Sequence, residues 1–218
     1  MRGSPCRPAR PGQTGPSAAD VVNLLPEKDL ARLIRAFGEE KQARRIARAI
    51  VERRASYAFK QTLDLAEVIE EAVGGRRGRK THPATQTFQA IRIYVNEELD
   101  ELARSLSAAE RMLAPGGRLV IVTFHSLEDR LVKTFLRERS GTGGQGSRYR
   151  PSIDTGPRAT FELSHRKAVE PSPVERLENP RARSARLRAA VRTDAPSWNQ
   201  EVETGYRVPK LQVLEVSP

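Results

Sequence analysis

A His-Ser pair stands where an apolar strand would pass into a helix. Residues 119–124 form an apolar run after the Pro-Gly-Gly turn signal at 115–117, and His125 and Ser126 follow directly. Ligands of open α/β sheets bind beyond the carboxyl ends of strands, so this pair could contact a substrate. The alternative is a local role, because Ser126 and Asp129 have the spacing of a helix N-cap and its reciprocal partner.

A glycine-rich basic loop is the second candidate site. The run GGRRGRK at 74–80 contains four positive charges and no acid. Such a loop can contact phosphate groups, although a solvated loop without a ligand has the same composition. Its candidate contacts are Arg76, Arg77, Arg79 and Lys80.

Helical patterns dominate the first half of the chain and must position the basic loop. Ser17 and Asp20 have capping-box spacing, and Pro26 suits the first position of the next helix. Two amphipathic helices follow, a basic one within 39–54 and another over 62–73. The predicted buried positions of the second and third helices are Leu30, Leu33, Ile34, Phe37, Ala43, Ile46, Ala47 and Ile50.

The strongest periodicity predicts one long helix from Pro83 to Leu113. Such a helix would span roughly 45 Å at about 1.5 Å per residue. Its first half would pack on the preceding helices and its second half on the sheet, so it is the predicted hinge between two modules.

The second half of the chain predicts a parallel β-α unit and two later strands. Residues 119–124 form an apolar run, with Thr123 as its one polar residue, instead of an alternating pattern, which is typical of a strand covered on both faces by helices. Further strands are expected near 161–169 and at 184–192, the latter with Arg186, Arg188 and Arg192 on a wetter basic face. A short helix is expected to begin at Ser172.

Composition favours a polyanionic partner. The chain contains 38 Lys and Arg residues against 27 Asp and Glu residues, a net charge of +11, and nucleic acid leads the polyanions that such a charge attracts. A membrane partner is not expected, because no apolar stretch approaches the roughly 18–20 residues of a spanning helix. The single cysteine and three histidines predict neither a disulfide framework nor a metal site, and indicate a reducing cytoplasm.

Four runs carry a family resemblance: FGEEKQARRIARAIVERR at 37–54, HPATQTFQAIRIYVNEEL at 82–99, GGRLVIVTFHSLEDR at 116–130 and ENPRARSARLR at 178–188. They closely resemble the ribosomal RNA small-subunit methyltransferase H family. The resemblance implies a cytoplasmic enzyme that transfers a methyl group from S-adenosylmethionine to the N4 amine of a cytidine in 16S rRNA. Its implied partner is the small ribosomal subunit, with no DNA.

The resemblance also implies an α/β fold that joins the C-terminal part of a Rossmann-like methyltransferase sheet to an inserted all-α helical domain. Strand five of that sheet is expected at 119–124. Residues 1–14 are expected to be a disordered N-terminus, whose composition suggests a frameshift or a wrongly placed start. The helical substrate-binding insertion is expected over 15–82 and the C-terminal part of the methyltransferase domain over 83–192, with a flexible loop at 141–160. Residues 193–218 are expected to form a tail.

The sequence departs from the family in its cofactor motifs. Family members have a glycine-rich turn after strand one, an acid after strand two and an Asp-Leu-Gly run after strand four, and no run here matches them. The glycine cluster at 141–146 follows a helix and opens none. We therefore expect the first four strands to be missing, strand five to have an open edge, and the isolated chain neither to bind S-adenosylmethionine nor to methylate RNA.

Five further residues are candidate RNA contacts within the resemblance. His82 or Arg92 would touch the substrate, unless His82 only begins the helix and Arg92 pairs with an acid. Asn96 lies one turn beyond Arg92 and would bond the edge of a flipped base, or serve as a buried structural amide. Arg181 and Arg183 would clamp phosphate, or pair with acids and lock the last strand.

Two other function classes stay open. One is a non-catalytic RNA- or ribosome-binding module, whose RNA binding would be indifferent to the cofactor. The other is a helix-turn-helix DNA reader built from residues 26–54, although its basic helix has few groups suited to base edges.

Overall fold

The computed structural model describes residues 15–76, 78, 81–141 and 157–211. The chain divides into two compact units, Met1–Glu98 with Gly205–Pro218 and Leu99–Thr204. The expectations for residues 1–14, for the loop interior and for the end of the tail lie outside the described residues. So do those for Arg77, Arg79 and Lys80.

The described part of the first unit contains five α-helices. They are α1 (Ala18–Leu24), α2 (Glu27–Gly38), α3 (Ala43–Ser56), α4 (Thr62–Ala72) and α5 (Thr85–Val95). The predicted capping box at the start of α1 is confirmed, with the Ser17 hydroxyl accepting from the Asp20 amide at 3.2 Å. Pro26 is the N-cap of α2 instead of its first residue. All eight predicted buried positions of α2 and α3 are buried.

A glycine sets the distance between α2 and α5. A Cβ atom at Gly38 would lie 2.6 Å from the backbone oxygen of Gln86, closer than real Cβ atoms approach. The chain then leaves α2 through Glu39, whose φ of 53° is left-handed. Gly38 therefore ends the helix, as predicted, and also admits the neighbouring backbone.

The single helix predicted from Pro83 to Leu113 is wrong. The first helix, α5, ends at Val95, and α6 (Glu98–Met112) begins after a short break. Glu97 adopts a φ of 49°, a left-handed conformation that an α-helix cannot continue through. The apolar periodicity runs on across this break, which is why the sequence pattern hides it. The two units divide beside the break, after Glu98, whereas the sequence interpretation divides the chain after residue 82.

The second unit is α/β with a small antiparallel sheet. Its described strands are β1 (Arg118–Thr123), β2 (Phe161–Leu163) and β3 (Arg186–Arg192), in the order β1-β3-β2. The central strand, β3, runs antiparallel to both neighbours, so β1 and β2 point the same way without pairing. The expected parallel partner of β1 is not among the described residues, and one edge of β1 is open. The unit also contains α7 (Ser126–Arg139), α8 (Pro173–Glu178) and a 3-10 helix (Pro180–Ser184).

One face of the sheet forms the core of this unit. Phe135 of α7 and Phe161 of β2 are both buried and meet edge to face, with ring centroids 5.7 Å apart. Leu106 of α6, Val132 of α7 and Ala190 of β3 complete the centre of this cluster. The predicted apolar face of α7, with Leu127 and Leu131 beside Phe135, is confirmed.

The other face of the sheet corrects two predictions. Val120 and Val122 of β1 are 56% and 48% exposed, so the strand is not covered on both faces within the described structure. Leu119 pairs with Ala190, and this register turns the even-numbered residues of β3 toward the helices. The predicted wetter face of β3 is therefore its core face, and Arg192 is only 7% exposed.

No helix in the described ranges combines the length and the apolar character needed to cross a membrane.

Candidate functional site

The candidate site at the basic loop is organised by one acid on α4. The Glu70 carboxylate accepts from Arg76 Nε at 3.0 and 3.1 Å, and its Oε2 lies 3.2 Å from His82 Nε2. The other ring nitrogen of His82, Nδ1, accepts from the Ala84 amide at 3.1 Å. Glu70 thus joins the two ends of the loop, and both His82 and Arg76 have protein partners in this structure.

A second acid, Glu98, accepts hydrogen bonds from both Arg92 and Asn96, the predicted polar pair at the end of α5. Arg92 donates to both carboxylate oxygens of Glu98, at 2.8 and 3.0 Å, and Asn96 Nδ2 donates to the same group at 3.1 Å. The structure therefore brings Arg92 and Asn96 together, as their spacing predicts. Arg92 has the acid partner of the alternative interpretation, whereas Asn96 is exposed and is not a buried amide.

His125, and not Ser126, is the N-cap of α7. Its Nδ1 accepts from the Glu128 amide at 3.3 Å, and the Glu128 carboxylate accepts in return from the amides of Phe124 at 2.8 Å and His125 at 3.3 Å. The predicted capping box therefore exists but is shifted by one residue toward the N-terminus, because the imidazole acts as the acceptor. This gives His125 a structural role at the carboxyl end of β1, while Ser126 is exposed.

The Glu128 carboxyl is a titratable group tied to this cap. Burial opposes its ionisation, but the His125 side chain and the amides of Phe124 and His125 favour it more strongly. The net effect lowers the pKa of Glu128 below its ordinary value. The cap therefore depends on an ionised carboxylate.

Asp129, the predicted capping partner, holds the last strand instead. Its two oxygens accept from Arg188 Nε and Nη2 at 2.8 and 3.1 Å, and both side chains are less than one fifth exposed. This bidentate pair joins α7 to β3. Arg186 adds a second restraint through Glu170 at 2.8 Å.

Arg181 and Arg183 keep their cationic groups exposed. Both lie on the 3-10 helix before β3, and neither guanidinium has an acid partner in the part of the chain that the structure describes. Ion pairs of Arg186 and Arg188 hold β3 in place. No contact of Arg181 or Arg183 in the described residues supports the alternative that they pair with acids to hold this strand. Two exposed cations on one short helix remain candidates for phosphate binding.

Sequence reasoning missed a buried polar network that fixes part of the tail. Glu110 accepts from Arg139 Nε at 3.0 Å and from Thr160 Oγ1 at 2.7 Å, and the Glu110 and Arg139 side chains are each 2% exposed. Arg139 also donates to the Gln200 carbonyl at 2.7 Å and lies 4.2 Å from the Trp198 ring. The available signal was an acid placed at helical spacing on the apolar face of α6.

The S-adenosylmethionine implied by the resemblance does not fit the described residues. In the described ranges α7 is the helix that directly follows a strand, and the junction between β1 and α7 contains no glycine that would let a ligand approach the backbone. The Glu128 carboxylate already occupies the amides of Phe124 and His125 there. We therefore assign no cofactor-binding role to any described residue.

Comparison with known proteins agrees with the resemblance. Residues 11–193 match the model of the MraW methylase family. A protein named ribosomal RNA small subunit methyltransferase H from Hyphomonas neptunium is 61% identical over 208 residues, which cover 95% of this chain and 61% of that protein. The protein of the same name from Caulobacter vibrioides is 59% identical over 189 residues, covering 87% of this chain and 61% of its own length.

The chain thus spans about three fifths of the length of the curated relatives it matches. The family model matches far more than half of the chain and includes most of each compact unit. The chain belongs to the MraW methylase family.

Proposed function

We propose that this chain supplies RNA-binding surfaces to a methyltransferase that acts on small-subunit ribosomal RNA. The methyl acceptor would be the N4 amine of a cytidine in 16S rRNA, and the donor would be S-adenosylmethionine bound by parts of the fold outside the described residues. The observation that carries this proposal is the family match over residues 11–193, with relatives named for that RNA. We place the reaction in the bacterial cytoplasm.

Exposed cations support RNA as the partner. The net charge of +11 is large for 218 residues, and Arg44 and Arg45 lie on the exposed side of α3 without an ion pair in the described residues. Arg181 and Arg183 provide a second such pair in the other unit. Unpaired guanidinium groups release counterions from RNA when they meet phosphate, which is the main source of RNA affinity.

The acceptor chemistry adds a role for the cluster at the end of α5. A cytidine amine is reached only when the base leaves its stack, and a flipped base needs partners for its edge. The exposed Asn96 amide offers both a donor and an acceptor, and Glu98 holds it beside Arg92. We propose that Asn96 contacts the target base or a neighbour of it.

Salt-dependent binding of small-subunit rRNA tests the proposal. We expect the double variant Arg181→Gln/Arg183→Gln to flatten the log-log dependence of affinity on salt by about 1.4 to 1.8, because each lost phosphate contact removes about 0.7–0.9. The matched control is Arg104→Gln/Arg111→Gln, which removes two exposed cations already paired with Glu101 and Glu201. An unchanged slope in the first variant would remove Arg181 and Arg183 from the interface.

A second candidate is a non-catalytic RNA-binding module. The exposed arginines Arg44, Arg45, Arg181 and Arg183 would serve such a module equally well. Labelled S-adenosylmethionine separates the two, because methyl incorporation into small-subunit rRNA by this chain would exclude the module. RNA binding that ignores the cofactor is expected of both candidates, so only the absence of incorporation would favour the module.

A further inference from the structure

A basic pocket in the second unit has no assigned role. It is an open cavity of about 910 Å³ beside α7 and β2. Its apolar floor includes the partly exposed Ala159 and Leu163, with the buried side chains of Leu136 and Phe161 beneath them. The volume lies within the range of about 300–1,000 Å³ that holds nucleotide-sized ligands.

The rim of this pocket carries a net positive charge. Five Lys or Arg side chains line it against two acids, Glu162 and Asp194. The lining cations are Lys133, Arg137, Arg158, Arg166 and Arg188. Of the two acids, Asp194 is engaged with Arg158 at 3.0 Å, and Arg188 takes its carboxylate from Asp129 on α7. Lys133 and Arg166 have no ion-pair partner within the described ranges.

We propose that this pocket binds the sugar-phosphate backbone of a single-stranded RNA segment, an inference that rests on the proposed function for the choice of RNA. Lys133 and Arg166 come from different segments of the chain and converge on one concavity, whereas a solvated charge run stays on one segment. The cations would bind the phosphates, and the apolar floor would pack against a ribose or a base without breaking hydrogen bonds of the protein. Single strands fit because their bases can turn toward such a floor.

The test measures RNA affinity of the full chain as a function of salt, with a labelled 12-nucleotide single-stranded RNA and with small-subunit rRNA. The variant Lys133→Gln/Arg166→Gln removes both cations that have no ion-pair partner. The matched control Arg118→Gln/Lys167→Gln removes the same charge from exposed residues of the same unit that do not line the pocket. All four side chains are exposed, and a thermal unfolding curve of each variant is the check that it folds.

We expect the pocket variant to flatten the log-log salt slope by about 1.4 and to weaken oligonucleotide binding roughly 25-fold at 0.1 M salt, as two lost single-strand phosphate contacts require. The control variant should change the slope by much less. Equal losses of RNA affinity in both variants would overturn the pocket and indicate a general charge effect. An unchanged salt slope with a lowered melting temperature would also overturn it and indicate that the two cations only stabilise the fold.

The two RNAs separate this inference from the proposed function. If small-subunit rRNA binds tightly and the pocket variant matches the control, the pocket is wrong and the proposed function stands. If the oligonucleotide depends on Lys133 and Arg166 but small-subunit rRNA has no advantage over it, the proposed function fails and the pocket stands. Competition by inorganic phosphate or cytidine monophosphate at concentrations equal to those of the RNA would show that the pocket takes a small anion and would overturn the RNA assignment.

Discussion

Removing the Glu110 carboxylate should destabilise the second unit more than any surface change. In Glu110→Ala the Arg139 guanidinium, 2% exposed, loses the buried carboxylate that lies 3.0 Å from its Nε. The Thr160 hydroxyl and the Trp198 amide lose an acceptor as well, at 2.7 and 3.3 Å. Breaking a buried ion pair costs about 3–5 kcal/mol, and each newly unsatisfied polar group adds to that cost. We expect a loss of about 4 kcal/mol.

Urea unfolding followed by tryptophan fluorescence measures this loss directly. Trp198 is the single tryptophan of the chain, and its ring lies 4.2 Å from the Arg139 guanidinium, so its signal reports this network. At a slope of about 2 kcal/mol per molar urea, the midpoint should fall by about 2 M. Total stabilities are only about 5–15 kcal/mol, so the unit would be close to unfolding.

Two controls decide whether the reasoning holds. Arg111→Ala breaks an exposed pair with Glu201, whose side chains are 51% and 65% exposed, and should cost less than about 1 kcal/mol. Glu110→Met/Arg139→Met removes both charges and should recover much of the lost stability. A Glu110→Ala loss no larger than that of Arg111→Ala would refute a stabilising role for the network.

Three shorter predictions concern the cap, the helix contact and the open face. Because the pKa of Glu128 is lowered in the folded state, its ionised carboxylate stabilises the fold above the unfolded pKa near 4.3, and this contribution is lost as pH falls through the lower folded value. Glu128→Gln should therefore lower the free energy of unfolding by about 1 kcal/mol at pH 7 and flatten the acid limb of a pH-stability curve. An unchanged acid limb would contradict this. Gly38→Ala should lower stability by about 1–3 kcal/mol in thermal unfolding, because its Cβ meets the Gln86 oxygen at 2.6 Å, whereas Gly15→Ala, with open space around it, should change little. Val122→Lys, on the exposed face of the edge strand β1, should reduce light scattering by the concentrated protein without lowering its melting temperature, and equal scattering would show that this face does not drive association.

Local signals in the sequence predicted most helix starts and the buried stripes. The capping box at Ser17 and the N-cap hydrogen bond at Ser172 are formed as their spacing predicts. Such signals work because the contacts they describe involve residues three or four apart. The cap of α7 was misplaced by one residue because His125 accepts a hydrogen bond that sequence rules assign to Ser126.

Long-range contacts could not be predicted in the same way. Which face of β3 is buried depends on its pairing with β1, where Leu119 opposes Ala190. The break after Val95 depends on one left-handed residue, Glu97, within an unbroken apolar pattern. The partners of Glu110 come from residues 29 to 88 positions away along the chain.

For the candidate site residues too, the sequence predicted local contacts and missed long-range ones. The sequence placed Arg92 and Asn96 on one helix face, and the structure joins them through Glu98. It could not show that Glu70 engages both Arg76 and His82, since that contact needs α4 and the loop folded together. The family resemblance came from long runs of residues and did not depend on these contacts.

The proposed function requires that this chain bind small-subunit rRNA through its own residues and that this binding not depend on a methyl donor. Filter binding of that RNA to the full chain, with and without S-adenosylmethionine, tests both parts in one measurement. We predict tight, salt-sensitive binding with the same dissociation constant in both conditions. Failure to bind the RNA, or binding that tightens severalfold when the cofactor is added, would contradict the account.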